Sequence, residues 1–306
     1  MILPFDYNEG DDYLMHQRFL RLVVLAATCI ANCVSASAQG SKIEEQLKVE
    51  YQYKVLTLRH FYEGPKLQFD TKGQIVGDTT IGPWTLDGRI NINEIHLHDR
   101  LLQLRGQRLF LFYDSTAKRM KDAVRITTDD PMSKEFSQFG GVSWQEFEKT
   151  ADVEIELALA SAPKDEKEVV SAINTVFLAP DDALAEFVPA IWQCFVMRQE
   201  GNFSACRSGD GVYRVGHDVS PPRVFYAPDP EYSEAARLSK FQGSTTLWLV
   251  VTTDGTAQDV KITEPCGLGL DEKAVKAVSV WKFEPGRKDG SPVAVQINVK
   301  VTFRLH

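Results

Sequence analysis

The chain has 306 residues, 43% of them hydrophobic and 25% charged, the proportions of an ordinary globular protein and not of a disordered, collagenous or coiled-coil chain. That length corresponds to about two domains. The net charge of −8, from 34 Lys and Arg against 42 Asp and Glu, argues against nucleic acid as a partner, because phosphate binding needs a basic footprint.

At the N-terminus, Arg18 and Arg21 stand before the apolar run 22–34, and Ala36-Ser37-Ala38 follows in the A-x-A pattern of a signal-peptidase site. The run carries Thr28 and Asn32 and is shorter than the ~20 residues of a spanning helix. Residues 1–38 are therefore expected to be a cleaved secretory signal. Met15 is the candidate start, because Asp6, Glu9, Asp11 and Asp12 do not suit a signal n-region. Neither Cys29 nor Cys33 sits in a lipoprotein box. Cleavage leaves a net charge of −6 (32 basic against 38 acidic) and no stable membrane span. The expected location is the periplasm, with an inner-membrane anchor as the alternative if the signal is retained. Cys194, Cys206 and Cys266 then remain in an oxidising compartment. Cys194 and Cys206 can close a loop as a disulfide, although sequence alone does not fix the pairing.

Residues 45–162 read as a β-rich domain. Ile90-Asn91-Ile92 and Ile95-His96-Leu97-His98 alternate with the period of half-buried strands, and 152–160 does the same through Val153, Ile155, Leu157 and Leu159. Residues 109–113 are apolar on both faces and read as a central strand. The expected packing is a small antiparallel barrel or sandwich. A helical extension, 163–212, follows. Pro163 opens a helix with Val169, Ile173 and Val176 on one face, and Pro180-Asp181-Asp182 caps another carrying Leu184, Phe187 and Val188, which Pro189 should break. Pro221, Pro222 and Gly216 then mark 213–228 as a linker.

The last unit, 229–306, has the clearest pattern. Asp229-Pro230 starts a short helix over 232–240. Strand 245–253 places Leu247, Leu249 and Val251 on one face, Asp254-Gly255 makes a hairpin turn, and 257–263 returns. A helix over 271–282 carries Leu270, Ala274, Val278 and Trp281 on one stripe. In the final strand Val293, Val295, Ile297, Val299, Val301 and Phe303 face one way, and Gln296, Asn298, Lys300, Thr302 and Arg304 the other. The fold class is α+β, ending in a helix–strand–strand–helix–strand unit with both helices on one face of an antiparallel sheet.

Along this unit Tyr232, Ala236, Gly243, Gly255, Leu270-Asp271, Ala274, Trp281-Lys282-Phe283-Glu284-Pro285, Gly290 and Phe303 fall in an order and spacing that resemble the TonB C-terminal domain, with Ser233 where that family often has proline. Residues 51–126 more weakly resemble the β-rich region of some exported TonB-family proteins. The resemblance implies a non-catalytic, energy-transducer-type protein, concerned with transmembrane transport, that binds an extended segment of an outer-membrane receptor or other envelope protein by strand addition. The alternative is a motor-independent periplasmic adapter for a protein or cell-wall ligand. The family's transducers keep a membrane helix and a long proline-rich spacer; here the apolar segment is expected to be cleaved, and the expected linker is short.

Strand addition suits the final strand, because an edge strand offers unpaired N–H and C=O groups. About six backbone bonds at ~1 kcal/mol each barely offset an association cost of ~4–15 kcal/mol, so the coupling is weak and side chains must add selectivity. The candidate partner-binding residues are Gln296, Asn298, Val299, Lys300, Arg304 and Trp248. Trp248 reads equally as a partner-facing aromatic or as a residue covered by the preceding domain. No catalytic motif, cofactor or metal site is expected: His96-x-His98 lacks a third ligand, and His60 and His217 lack a nucleophile partner. Gly267-x-Gly269 reads as a helix-entry turn, and the acidic pairs Asp129-Asp130 and Asp181-Asp182 as turns or caps.

Overall fold

The computed structural model describes residues 39–123, 151–216 and 218–305. The expected signal peptide, Asp129-Asp130 and His217 lie outside them. The N-terminal unit is organised around one open five-stranded sheet. Its elements are α1 (residues 39–51), β1 (Val55–Thr57), β2 (Lys66–Phe69), α2 (Trp84–Asp87), β3 (Arg89–His98), β4 (Leu101–Arg108), β5 (Phe110–Asp114), β6 (Arg119–Ala123), β7 (Asp152–Ala158) and α3 (Glu166–Val176). The strand order is β1-β3-β4-β7-β2, antiparallel except for β2 against β7. The inward residues of β7 alternate as the sequence predicts, with Val153, Ile155 and Leu157 buried.

The expected barrel or sandwich does not form among the described residues. The apolar residues that a second sheet would cover are shared with helices, because Ile43 and Leu47 of α1 and Val169, Ile173 and Val176 of α3 join the same core. α1 is tied down by Glu44, which accepts the Leu97 N–H at 2.8 Å. Asp165 caps α3 by accepting the Glu168 N–H. A buried ion pair, Arg108–Asp87 at 2.8 Å, closes the sheet end, with Arg108 also donating to the carbonyls of Tyr62 and Gly64.

Residues 109–113 are apolar on both faces for a reason other than a central strand. β5 pairs with β6 as a separate ribbon and bridges Gly267 through Phe112. It is buried because it lies between the two units: Tyr113 donates its N–H to the Cys266 carbonyl and Leu111 accepts from the Leu268 N–H. The helix expected after Pro180 is one 3-10 turn, Leu184–Glu186. Pro189 starts a helix where a break was expected, opening α4 (Ala190–Gln199), whose Trp192, Cys194, Phe195 and Val196 are buried.

The stretch expected as a linker contains two strands, β8 (Tyr213–Arg214) and β9 (Arg223–Tyr226), both paired with the C-terminal unit. α5 (Glu234–Leu238) is capped by Ser233, which accepts the Ala236 N–H, and not by Asp229 as expected. There follow β10 (Gly243–Val251), β11 (Ala257–Glu264), α6 (Leu270–Ser279), β12 (Lys282–Glu284), β13 (Gly286–Lys288), β14 (Ser291–Val293) and β15 (Val295–Phe303). The main sheet has the order β11-β10-β15-β8. Leu247, Leu249, Val251, Val301 and Phe303 face α5 and α6 in a core that is continuous with the N-terminal one.

Candidate strand-addition edge

β15 pairs with β10 along its whole length, from Val295↔Val251 to Phe303↔Gly243, without a break in register. On its other side it meets only β8, at Val295↔Tyr213 and Gln296↔Arg214. The Tyr213 N–H donates to the Ala294 carbonyl at 2.8 Å, which fixes the direction of the backbone there. Backbone groups in a strand alternate, so Ala294, Gln296, Asn298, Lys300 and Thr302 turn their N–H and C=O away from β10, while the intervening residues turn theirs toward it. Beyond Gln296, among the described residues, no strand pairs with this side. Asn298, Lys300 and Thr302 therefore present an open ladder.

The predicted partner-binding residues fall into four groups. Asn298, Lys300 and Arg304 are exposed on or beside the open edge. Gln296 lies at its start and is half-buried, bonded to the Ser208 hydroxyl at 3.0 Å. Val299 pairs with Leu247, so its amide faces β10 and its half-buried side chain the apolar layer; it supports the edge and offers nothing to a partner backbone. Trp248 is 6% exposed, with the Lys261 ammonium 4.7 Å from its ring centre. Lys261 in turn donates to the Arg207 carbonyl at 3.2 Å, so the segment around Arg207 is fastened over this face and Trp248 is a covered residue.

That segment is anchored by a disulfide between Cys194 and Cys206, with Cα atoms 4.8 Å apart. Cys266 is free and buried beside Asp271, and both burial and that carboxyl push its thiol up, away from thiolate. His96 and His98 stack 6.1 Å apart on β3, and no cluster of three metal-ligating residues occurs among the described residues.

The motif residues are structural. Ala236, Leu270, Asp271, Ala274, Phe283 and Phe303 are buried, while Pro285 is half-buried. Tyr232 meets the Phe303 ring edge-on at 5.5 Å, and Trp281 donates to the Pro228 carbonyl at 3.2 Å. Gly243 opens β10 against the Cys266 sulfur. Gly255 and Gly290 take positive φ, +78° and +81°, at the hairpins after β10 and β13. Asp271 accepts from the N–H groups of Cys266 and Gly267 and from the Thr245 hydroxyl, each at 2.7 Å, which locks the start of α6 to β10.

Sequence reasoning missed the other side of this sheet. α4 packs along β11, and its Trp192 donates to Glu272 of α6 at 2.8 Å. The Trp192 ring meets Trp84 edge-on at 4.9 Å, and the Gly269 N–H donates to the Thr85 hydroxyl at 2.9 Å. Burial, with the neighbouring Asp271 carboxyl, pushes Glu272 up to about 7. A tryptophan and a cysteine among the apolar residues of 190–197 were the available signal.

Residues 228–305 match the family described as Gram-negative bacterial TonB protein C-terminal. The likeness is confined to this segment, about a quarter of the chain. TonB of Escherichia coli K12 is 32% identical over 84 residues, 27% of this chain and 35% of that protein. TonB of Vibrio cholerae is 29% identical over 86 residues, 28% of this chain and 35% of that protein. The chain thus spans about a third of the length of the curated TonB relatives it matches. The solution structure of the Pseudomonas aeruginosa TonB C-terminal domain aligns with 30% of this chain and 93% of its own, at 22% identity and a TM-score of 0.25. Among the described residues no helix is long and apolar enough to cross a membrane.

Proposed function

We propose that this TonB-family chain is an exported, envelope-associated binding protein that receives an extended segment of an outer-membrane transport partner by strand addition along β15, in support of transmembrane transport. It acts by binding and not by catalysis. The observation that carries the reading is the open run of N–H and C=O groups at Asn298, Lys300 and Thr302 on a strand otherwise paired without interruption. Lys300 lies within that run and Arg304 just beyond it, so the favoured segment carries an acidic side chain in reach of them.

The test uses synthetic peptides tiling the N-terminal segments of outer-membrane receptors encoded in the same genome. Binding is expected to protect the amides of Asn298, Lys300 and Thr302 from hydrogen exchange while those of Val299 and Val301, already paired, change little. Binding with protection elsewhere would overturn the reading.

A second reading, a periplasmic adapter independent of any motor, is favoured by one observation: within 213–228, β8 pairs with β15 and β9 with β12, so this stretch is paired to the C-terminal unit and is not a free spacer. N-terminal sequencing of the exported protein separates the two. Cleavage after Ala38 rules out a self-anchored transducer and favours the adapter; a retained N-terminus favours the transducer.

A further inference from the structure

The beginning of the β15 edge is already occupied by the chain itself. Tyr213 and Arg214 run parallel to Val295 and Gln296, and in this register the Tyr213 N–H binds the Ala294 carbonyl while the Gln296 N–H faces the Tyr213 carbonyl. The approach to β8 is fastened at three further points: the Cys194–Cys206 disulfide, the bond from Lys261 to the Arg207 carbonyl, and the bond between Ser208 and Gln296. Lys288 lies 5.0 Å from the Tyr213 ring centre and holds the strand from its far side. Past Arg214 the chain leaves the edge at Gly216, whose φ of +129° is a conformation that side-chain-bearing residues rarely adopt.

Resting on the strand-addition reading, we propose that the stapled segment 206–214 is an internal partner strand that sets the length and starting register of the external one. It consumes the outward groups of Ala294 and Gln296. The external segment is left Asn298 to Thr302, a run of about 17 Å at ~3.4 Å per residue. Its end must stop against Val215, which is exposed directly beyond β8. A strand of two residues is too short to hold its place through its own bonds, and the disulfide supplies what it lacks by confining the segment before it pairs. The partner is therefore a short extended segment, and a longer one is admitted only if β8 is displaced.

Two variants of the full chain test this. Cys206→Ser removes the staple; Tyr213→Pro keeps the staple and removes the N–H that holds β8 to Ala294. In the unmodified protein the Gln296 amide should exchange slowly and those of Asn298, Lys300 and Thr302 quickly. In either variant Gln296 should lose protection by about tenfold or more, the worth of one hydrogen bond, while Leu247 and Leu249 stay protected. A receptor-derived peptide that binds the unmodified protein is then lengthened by two residues at the end abutting Val215. The extension should leave affinity unchanged in the unmodified protein and raise it about tenfold or more in the variants. Undiminished Gln296 protection in both variants, or an equal gain from the extension in all three proteins, overturns the proposal. Failure of every tiled peptide to bind even the variants overturns strand addition itself, and the two failures are thereby distinguished.

Discussion

β11 and β15 flank the same central strand, β10, yet the molecule treats them differently. Along β11 it brings up α4 and fixes it through Trp192 to Glu272, through Trp192 against Trp84, and through the β5 ribbon to the Cys266 loop. Along β15 it lays down only β8, at the first two residues, and then turns away. The closed side joins the two units into one core. An exposed edge is an aggregation hazard that proteins usually cover or blunt. Among the described residues one edge is covered and no strand pairs with the other beyond Gln296, where Lys300 supplies the charge that discourages unselective pairing.

Breaking the closed side should cost most. Trp192→Ala removes a fully buried ring and its bond to Glu272, and should destabilise the protein by about 3–5 kcal/mol in urea denaturation. On β15 itself, Val299→Pro should cost about 3 kcal/mol, because that amide is spent on β10. Glu272→Gln sharpens the comparison through pH. The folded state holds this carboxyl at about 7 against an ordinary 4.5, so between those values it keeps a proton that the unfolded chain has released. Its contribution to stability therefore falls as pH rises through that window. The glutamine variant, which cannot ionise but still accepts from Trp192, should match the unmodified protein near pH 4.5 and exceed it by about 1–3 kcal/mol at pH 8, read from paired denaturation curves. Arg237→Ala, at the exposed pair with Glu234 on α5, should leave the denaturation midpoint essentially unchanged.

The open side was legible in the sequence and the closed side was not. β15 declares its register through strict alternation from Val295 to Phe303, and the hairpin at Gly255 follows from Asp254-Gly255, because both signals are local. α4 was hidden because a helix buried nearly all round lacks the one-sided stripe that marks an amphipathic one. β5 was misplaced for a related reason: burial on both faces does not say which element supplies each face, and here the second cover comes from residues 266–268, far along the chain. β8 and β9 sit among prolines and glycines that read as a spacer, and only the partner strands show that they are paired. At the edge, composition gave the polar residues Asn298, Lys300 and Arg304, but that the Val299 amide turns toward β10 awaited the direction of the Ala294 carbonyl.

The most direct measurement is the affinity of a receptor-derived peptide for Lys300→Pro beside the unmodified protein, with unfolding midpoints recorded for both. The Lys300 amide points off the sheet, where proline is tolerated on an edge strand, so the midpoint should move little. The same substitution removes a donor from the middle of the open ladder and should weaken binding by about tenfold or more. Equal affinity in a variant that folds normally would contradict strand addition at β15.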